Sequence, residues 1–177
     1  MKTTQILIAG FGGQGILFAG KFLAYKGLVE NKQVSWLPSY GPEMRGGTAN
    51  CSIILSDTPV GSPIITNPDV LVAMNLPSLT KYMDTVVPGG KIIVESTLIT
   101  EKVTRTDVEV FYVPASAMAK DAGFTTLANM VLMGKLIKET GAVSFDNNQA
   151  TFEKFIPAKK AALIEQNCQA LQAGYDF

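Results

Sequence analysis

Histidine is absent from all 177 residues. That removes a histidine general base, a Ser–His or Cys–His couple and any histidine metal ligand. Cysteine is scarce: Cys51 and Cys168 lie 117 positions apart and no CxxC occurs. The spacing argues against a zinc ribbon, a thioredoxin-like redox pair or an iron–sulfur cluster held by this chain alone. Two free thiols without a signal peptide fit a reducing cytoplasm. Charge is sparse too, 15 basic and 15 acidic residues making 17% of the chain, against roughly 25% in an average globular protein. With zero net charge there is no general basic field to hold nucleic acid, so none is expected as a partner. Residues 3–20 carry no charge, the length of a membrane span. Five of those eighteen are glycine, four of them between positions 10 and 15, so strand, turn and helix is the better reading than a span or a signal peptide.

What is present is apolar. Hydrophobic residues make up 47% before the 16 glycines are counted, which rules out disorder. One domain over residues 1–177 is expected, burying roughly 70% of its unfolded surface. The low charge also suggests that part of the surface is covered by a partner.

Gln5–Gly10 is a continuous apolar run suited to a strand covered on both faces, Asp69–Met74 reads as a strong buried strand, and Lys91–Glu95 and Val108–Val113 read as two more strands. Gln33–Leu37 and Thr48–Ser56 read as two further strands, the latter with Ala49, Cys51, Ile53 and Leu55 on one face. Thr58–Pro68, with three prolines, is an edge segment or irregular. A helix is expected from about Gly13 to Val29, with Ile16, Leu17, Ala24 and Leu28 on its apolar stripe. Asn75 can cap a short helix over Pro77–Thr85. Leu127–Thr140 is amphipathic and ends at Gly141, a C-cap residue, and Ala158–Leu171 carries a stripe at Ala161, Ile164, Cys168 and Leu171. Strands alternating with helices predict an α/β fold: three layers, a mostly parallel sheet with helices on both faces, and a Rossmann-like N-terminal strand-turn-helix.

Two segments could carry chemistry. Gly10-Phe11-Gly12-Gly13-Gln14-Gly15 fits G-x-G-x-x-G between a strand and a helix. Such a turn lets the backbone approach a phosphate at the helix N-terminus; a tight turn without a ligand is the plain alternative. The dinucleotide version lacks its acid, because Val34-Ser35-Trp36-Leu37-Pro38 occupies the place of the ribose-binding carboxylate. Gly15-x4-Gly20-Lys21 only imitates a P-loop, since Phe22 stands where a Ser or Thr should hold magnesium. Gly20 is expected to be a close-packing site and Lys21 a solvated side chain. The second segment, Ser39-Tyr40-Gly41-Pro42-Glu43-Met44-Arg45-Gly46-Gly47, packs an aromatic, an acid, a guanidinium and three glycines into one loop. Arg45 can bind phosphate or carboxylate bidentately, and Gly46-Gly47 lets a backbone or ligand come close; a surface turn with a Glu43–Arg45 pair is equally open. Asn75 and Thr125-Thr126 read first as helix caps, Cys51 and Cys168 as core.

Gly10-Phe11-Gly12-Gly13-Gln14-Gly15-Ile16, followed by Ser39-Tyr40-Gly41-Pro42-Glu43-Met44-Arg45-Gly46-Gly47-Thr48-Ala49-Asn50-Cys51, resembles the gamma subunit of the 2-oxoacid:ferredoxin oxidoreductases over nearly the whole chain. The Glu-Met-Arg version looks more like the 2-oxoglutarate or branched-chain 2-oxoacid members than the pyruvate ones. The resemblance implies a complex that converts a 2-oxoacid, coenzyme A and oxidised ferredoxin to acyl-CoA, carbon dioxide and reduced ferredoxin. Thiamine diphosphate and iron–sulfur clusters then belong to alpha, beta and possibly delta partner subunits, with ferredoxin reached through the complex. For this chain it leaves assembly and part of the coenzyme A site. Gly12, Gly13, Gln14 and Gly15 would approach a phosphate, Arg45 would add charge, and Tyr40, Gly46 and Gly47 would shape the crevice. No catalytic residue and no metal ligand is expected. A stand-alone dinucleotide-binding or regulatory module, and a purely structural subunit, remain the alternatives.

Overall fold

In a computed structural model the described residues are 2–39 and 48–177. Six strands form one sheet: β1 (Thr3–Phe11), β2 (Gln33–Ser39), β3 (Thr48–Ser56), β4 (Val70–Ala73), β5 (Lys91–Glu95) and β6 (Glu109–Val113). Their order across the sheet is β2-β3-β1-β4-β5-β6. β1, β4, β5 and β6 pair in parallel, while β3 runs antiparallel between β1 and β2. The sheet is therefore mixed, with its parallel part as the apolar runs predict.

Alternation along the strands sends side chains to two covered faces. Ile6, Ile8, Val72, Ile93 and Val113 meet the larger helical layer, in which Phe22, Met130, Leu136 and Phe152 are fully buried. Leu7, Leu71, Ala73, Ile92 and Val94 meet a smaller layer built on Leu79, Val86 and Ile99. The larger layer contains α1 (Ile16–Val29), α3 (Ala115–Asp121), α4 (Ala128–Thr140), α5 (Asn148–Glu153) and α6 (Ala161–Asp176); the smaller contains α2 (Leu76–Tyr82). Thr58–Pro68 is irregular. Gly141 takes the left-handed conformation at the end of α4, at φ 56°, as a C-cap glycine should.

Two apolar stripes read from the sequence are rotated in the fold. Leu28 on α1 is 56% exposed, whereas Lys26 is 1% exposed. The Lys26 ammonium donates to the Asp146 carbonyl and lies 3.9 Å from Glu30, and Glu30 in turn accepts from Ser144 N–H at 2.8 Å. A lysine stem is apolar enough to lie inside once its head is bonded. On α6 the buried face runs through Ile164, Asn167, Ala170, Leu171 and Gly174, leaving Ala161 exposed and Cys168 half-buried. The cause is Gly174, which crosses the α4 backbone so closely that an added Cβ would strike the Val131 carbonyl. Lys21 is half-buried rather than free, its ammonium 5.4 Å from the Phe155 ring centroid.

Candidate functional site

β1 delivers its chain to the carboxyl end of the parallel strands at Gly10 and Phe11. From there Gly12 to Gly15 turn the backbone into α1, which starts at Ile16 rather than Gly13. The later start follows from Gly13 at φ 96° and Gly15 at φ 74°, conformations that resist side chains. Gly15 is the N-cap of α1 and supplies no side-chain hydrogen bond. A glycine N-cap offers the first-turn N–H groups no side chain of its own, and the positive end of the helix dipole stands behind them. A groove of about 260 Å³ opens beside the turn, lined by Phe11, Gly12, Gly13, Gly15, Leu17 and Phe18 among others. Phe11 is 42% exposed at its rim.

The turn is tied to its surroundings by amide side chains. Gln14 Oε1 accepts from Phe11 N–H at 2.6 Å, and Gln14 Nε2 donates to the Met74 carbonyl at 2.9 Å. That side chain closes the space between the ends of β1 and β4. From the other side Asn129 Nδ2, on α4, donates to the Gly15 carbonyl at 3.0 Å. Next to them Asn75 Oδ1 accepts from Ser78 N–H at 2.9 Å and caps α2, as its sequence position suggested. Asn75 Nδ2 and Ser78 Oγ are buried without a hydrogen-bond partner among the described residues.

Gly12, Gly13, Gln14 and Gly15 thus come together in one turn. Tyr40, Glu43, Arg45, Gly46 and Gly47 lie outside the described residues. Their flanks do not: Ser39 pairs with Asn50, and Thr48 pairs with Phe11. Ser39 and Thr48 therefore stand at the same end of the sheet as the glycine turn. Gly20 faces Cys51 and Trp36 from inside α1, where an added Cβ would lie 2.5 Å from the Cys51 sulfur; it is a packing site, not a phosphate loop. Cys51 is fully buried and donates to the Ile16 carbonyl at 3.4 Å. Burial pushes its thiol up to about 12, against opposing hydrogen bonds from the Trp36 side chain and the Gly20 backbone. Burial also raises the Cys168 thiol, with Glu153 adding to the shift. Neither thiol is poised as a nucleophile. Thr125-Thr126 does not cap α4; the N-cap is Leu127, and both threonines are exposed.

Asn129 was invisible in the sequence, because it reaches the turn across 114 positions. Glu95 is a second such residue. It is fully buried at the end of β5, and its carboxylate accepts from Thr97, Leu98 and Ser116 N–H groups. Those bonds cap a turn and the start of α3, leaving Glu95 a structural role. Among the described residues no group of three or more Cys, Asp or Glu could hold a metal ion, and no helix is long and apolar enough to cross a membrane.

The sequence profile of the pyruvate ferredoxin/flavodoxin oxidoreductases matches residues 5–177. The chain belongs to this family. It is 40% identical to the ketoisovalerate oxidoreductase subunit VorA of Methanothermobacter thermautotrophicus, covering 98% of this chain and 36% of that subunit. It is 36% identical to the 2-oxoglutarate synthase subunit KorC of Methanothermobacter marburgensis, covering 98% of this chain and 95% of KorC. The chain thus spans about a third of the VorA length and nearly all of KorC. Among solved structures, a keto/oxoacid ferredoxin oxidoreductase gamma subunit from Geobacter sulfurreducens superposes with a TM-score of 0.82 at 29% identity, covering 98% of this chain and 96% of that one. A 2-oxoglutarate:ferredoxin oxidoreductase from Magnetococcus marinus, with 2-oxoglutarate, coenzyme A and succinyl-CoA bound, shares the fold with a TM-score of 0.87 at 23% identity, over 99% of this chain and 31% of that one. The fold of this chain is therefore shared with solved members of this oxidoreductase family.

Proposed function

We propose that this chain is the gamma-type subunit, as one domain over residues 1–177, of a multi-subunit 2-oxoacid:ferredoxin oxidoreductase. The complex converts a 2-oxoacid, coenzyme A and oxidised ferredoxin to acyl-CoA, carbon dioxide and reduced ferredoxin in a reducing cytoplasm. The substrate is 2-oxoglutarate or a branched-chain 2-oxoacid rather than pyruvate, in line with the names of the KorC and VorA relatives. Thiamine diphosphate supplies carbanion stabilisation and iron–sulfur clusters supply electron transfer, both from alpha, beta and possibly delta partner subunits. Two cysteines, one of them fully buried, do not fit a cluster on this chain.

The chain's own part is to bind and orient coenzyme A. The observation that carries this reading is the α1 N-terminus with glycine as its N-cap, in a turn that holds two left-handed glycines at the carboxyl end of β1. Gly12, Gly13, Gln14 and Gly15 bring the backbone against a phosphate, and the helix end adds favourable potential. Arg45 supplies charge from the β2–β3 connection, while Tyr40, Gly46 and Gly47 shape the crevice with the partner subunits. A dinucleotide site is disfavoured by the strand order. In a Rossmann crevice the ribose-binding acid ends the strand next to β1, but here antiparallel β3 occupies that position.

Anaerobic purification of the tagged chain from its native cells tests assembly. A thiamine diphosphate subunit and an iron–sulfur subunit are expected in stoichiometric amounts. Recovery of the chain alone, from cells shown to express those subunits, overturns the reading. In the purified complex Arg45→Ala is expected to raise KM for coenzyme A; a wild-type KM with normal assembly removes Arg45 from the site.

A further inference from the structure

The glycine turn does not set its own geometry. The peptide joining Gly15 to Ile16 is planar, so the direction of the Gly15 carbonyl fixes the direction of the Ile16 N–H. That carbonyl accepts from Ala19 N–H at 3.0 Å, the first bond of α1, and from Asn129 Nδ2, also at 3.0 Å. Asn129 is 3% exposed, and its own Oδ1 accepts from Met130 N–H at 2.9 Å. Its amide therefore has a fixed orientation at the start of α4. It lies so close over Gly15 that a Cβ added there would strike it. Gln14 holds the other side of the turn against β1 and β4. Without Asn129 the Gly15 carbonyl would be held by the Ala19 N–H alone, at a residue whose φ of 74° a glycine leaves at little cost.

We propose that Asn129 is a positioning residue for coenzyme A, acting through the Gly15–Ile16 peptide. It holds the Ile16 N–H outward toward the groove, so that the donor is already aimed when a phosphate arrives. Pre-organised donors bind more tightly than donors that must first be ordered. The assignment rests on the coenzyme A reading given above. It adds a contribution from α4, an element that neither glycine motif includes.

The test uses the complete oxidoreductase complex carrying Asn129→Ala or Asn129→Leu in this chain. Both remove the amide donor without adding charge, and the leucine keeps most of the volume in case the alanine fails to assemble. Gly12→Asp, which places a carboxylate in the turn, serves as the benchmark for the coenzyme A site itself. The Asn129 variants are expected to raise KM for coenzyme A about tenfold, the equivalent of one charge-assisted hydrogen bond, with kcat and KM for the 2-oxoacid within about twofold. If Gly12→Asp raises KM for coenzyme A and the Asn129 variants do not, Asn129 has no positioning role and the coenzyme A site stands. If none of the variants changes it, the coenzyme A reading falls and the role of Asn129 falls with it. If the Asn129 variants lower the melting temperature and shift both substrates alike, the residue is structural and the proposal is overturned.

Discussion

The two ends of α1 are finished in opposite ways. At its C-terminal end every device closes the structure. Lys26 is buried and bonded to the Asp146 carbonyl, Glu30 accepts from Ser144, Lys32 N–H donates back to the Gly27 carbonyl, and Gly27 lets Leu55 and Val34 come close. At its N-terminal end the N-cap is a glycine with no side chain to offer, and a groove opens beside it. One helix thus carries a sealed end that holds it to the sheet and an open end that keeps its donors available. A capping Ser or Asp in place of Gly15 would have to hold φ 74° and would strike Asn129, so the turn itself keeps a capping side chain out of the N-cap position.

The comparison can be broken at several points. The largest effect is expected at the sealed end. In Gly27→Val a Cβ would sit 2.6 Å from Leu55 and 2.8 Å from Val34, costing about 3 kcal/mol in urea unfolding, while complex that still assembles keeps its KM for coenzyme A. A wild-type denaturation midpoint would show that the C-terminal end is looser than described. Next comes Lys26, whose pKa is lowered by burial, with Glu30 and Asp146 opposing. In the unfolded chain the ammonium keeps its proton to higher pH than in the fold. Between the lowered folded pKa and the ordinary lysine value of 10.5 the unfolded state therefore binds more protons, and this group makes stability rise with pH. Lys26→Met should flatten that rise; an unchanged pH slope from neutral to alkaline pH would remove Lys26 as its source.

At the open end the expected cost in stability is smaller and the functional cost larger. Gly13→Ala meets no atom within 4 Å but must hold φ 96°, at a cost of about 1 kcal/mol. Its KM for coenzyme A should rise several-fold through the altered turn, and a KM equal to wild type would take Gly13 out of the site. The smallest effect concerns Cys51, which is sealed under the first turn of α1. Native protein treated with a maleimide should react only at half-buried Cys168, with Cys51 reacting after denaturation. Rapid native labelling of Cys51 would mean that the open end of α1 lifts away from the sheet.

Much of this was legible in the residues. Continuous apolar runs located β4 and β5, the glycine spacing located the turn, and Gly141 marked the end of α4. What stayed hidden depends on contacts between distant segments. Nothing in Thr48–Ser56 announces that it inserts antiparallel between β1 and β2, because register is set by partners rather than by the strand itself. The short helices α3 and α5 have six or seven residues, too few for a period to show. Lys26 reads as a surface residue until Asp146 is brought to it. Asn129 shows the same limit within the candidate site: a helix-interior asparagine carries no signal until α4 is laid against the turn.

The close crossing of α6 on α4 at Gly174 and Gly134 also has a consequence for synthesis. The sheet has all six strands once Val113 has been made, but the larger face is closed by α4 and α6, from residue 128 to residue 176. Those two helices meet backbone to backbone, so a truncated α6 cannot seat partway. A nascent chain emerging from the ribosome therefore leaves the larger face of the sheet, with Ile93 and Val113, incompletely covered until α4 and α6 have been made. That interval is when chaperones, or a partner subunit made alongside, would matter most for its yield.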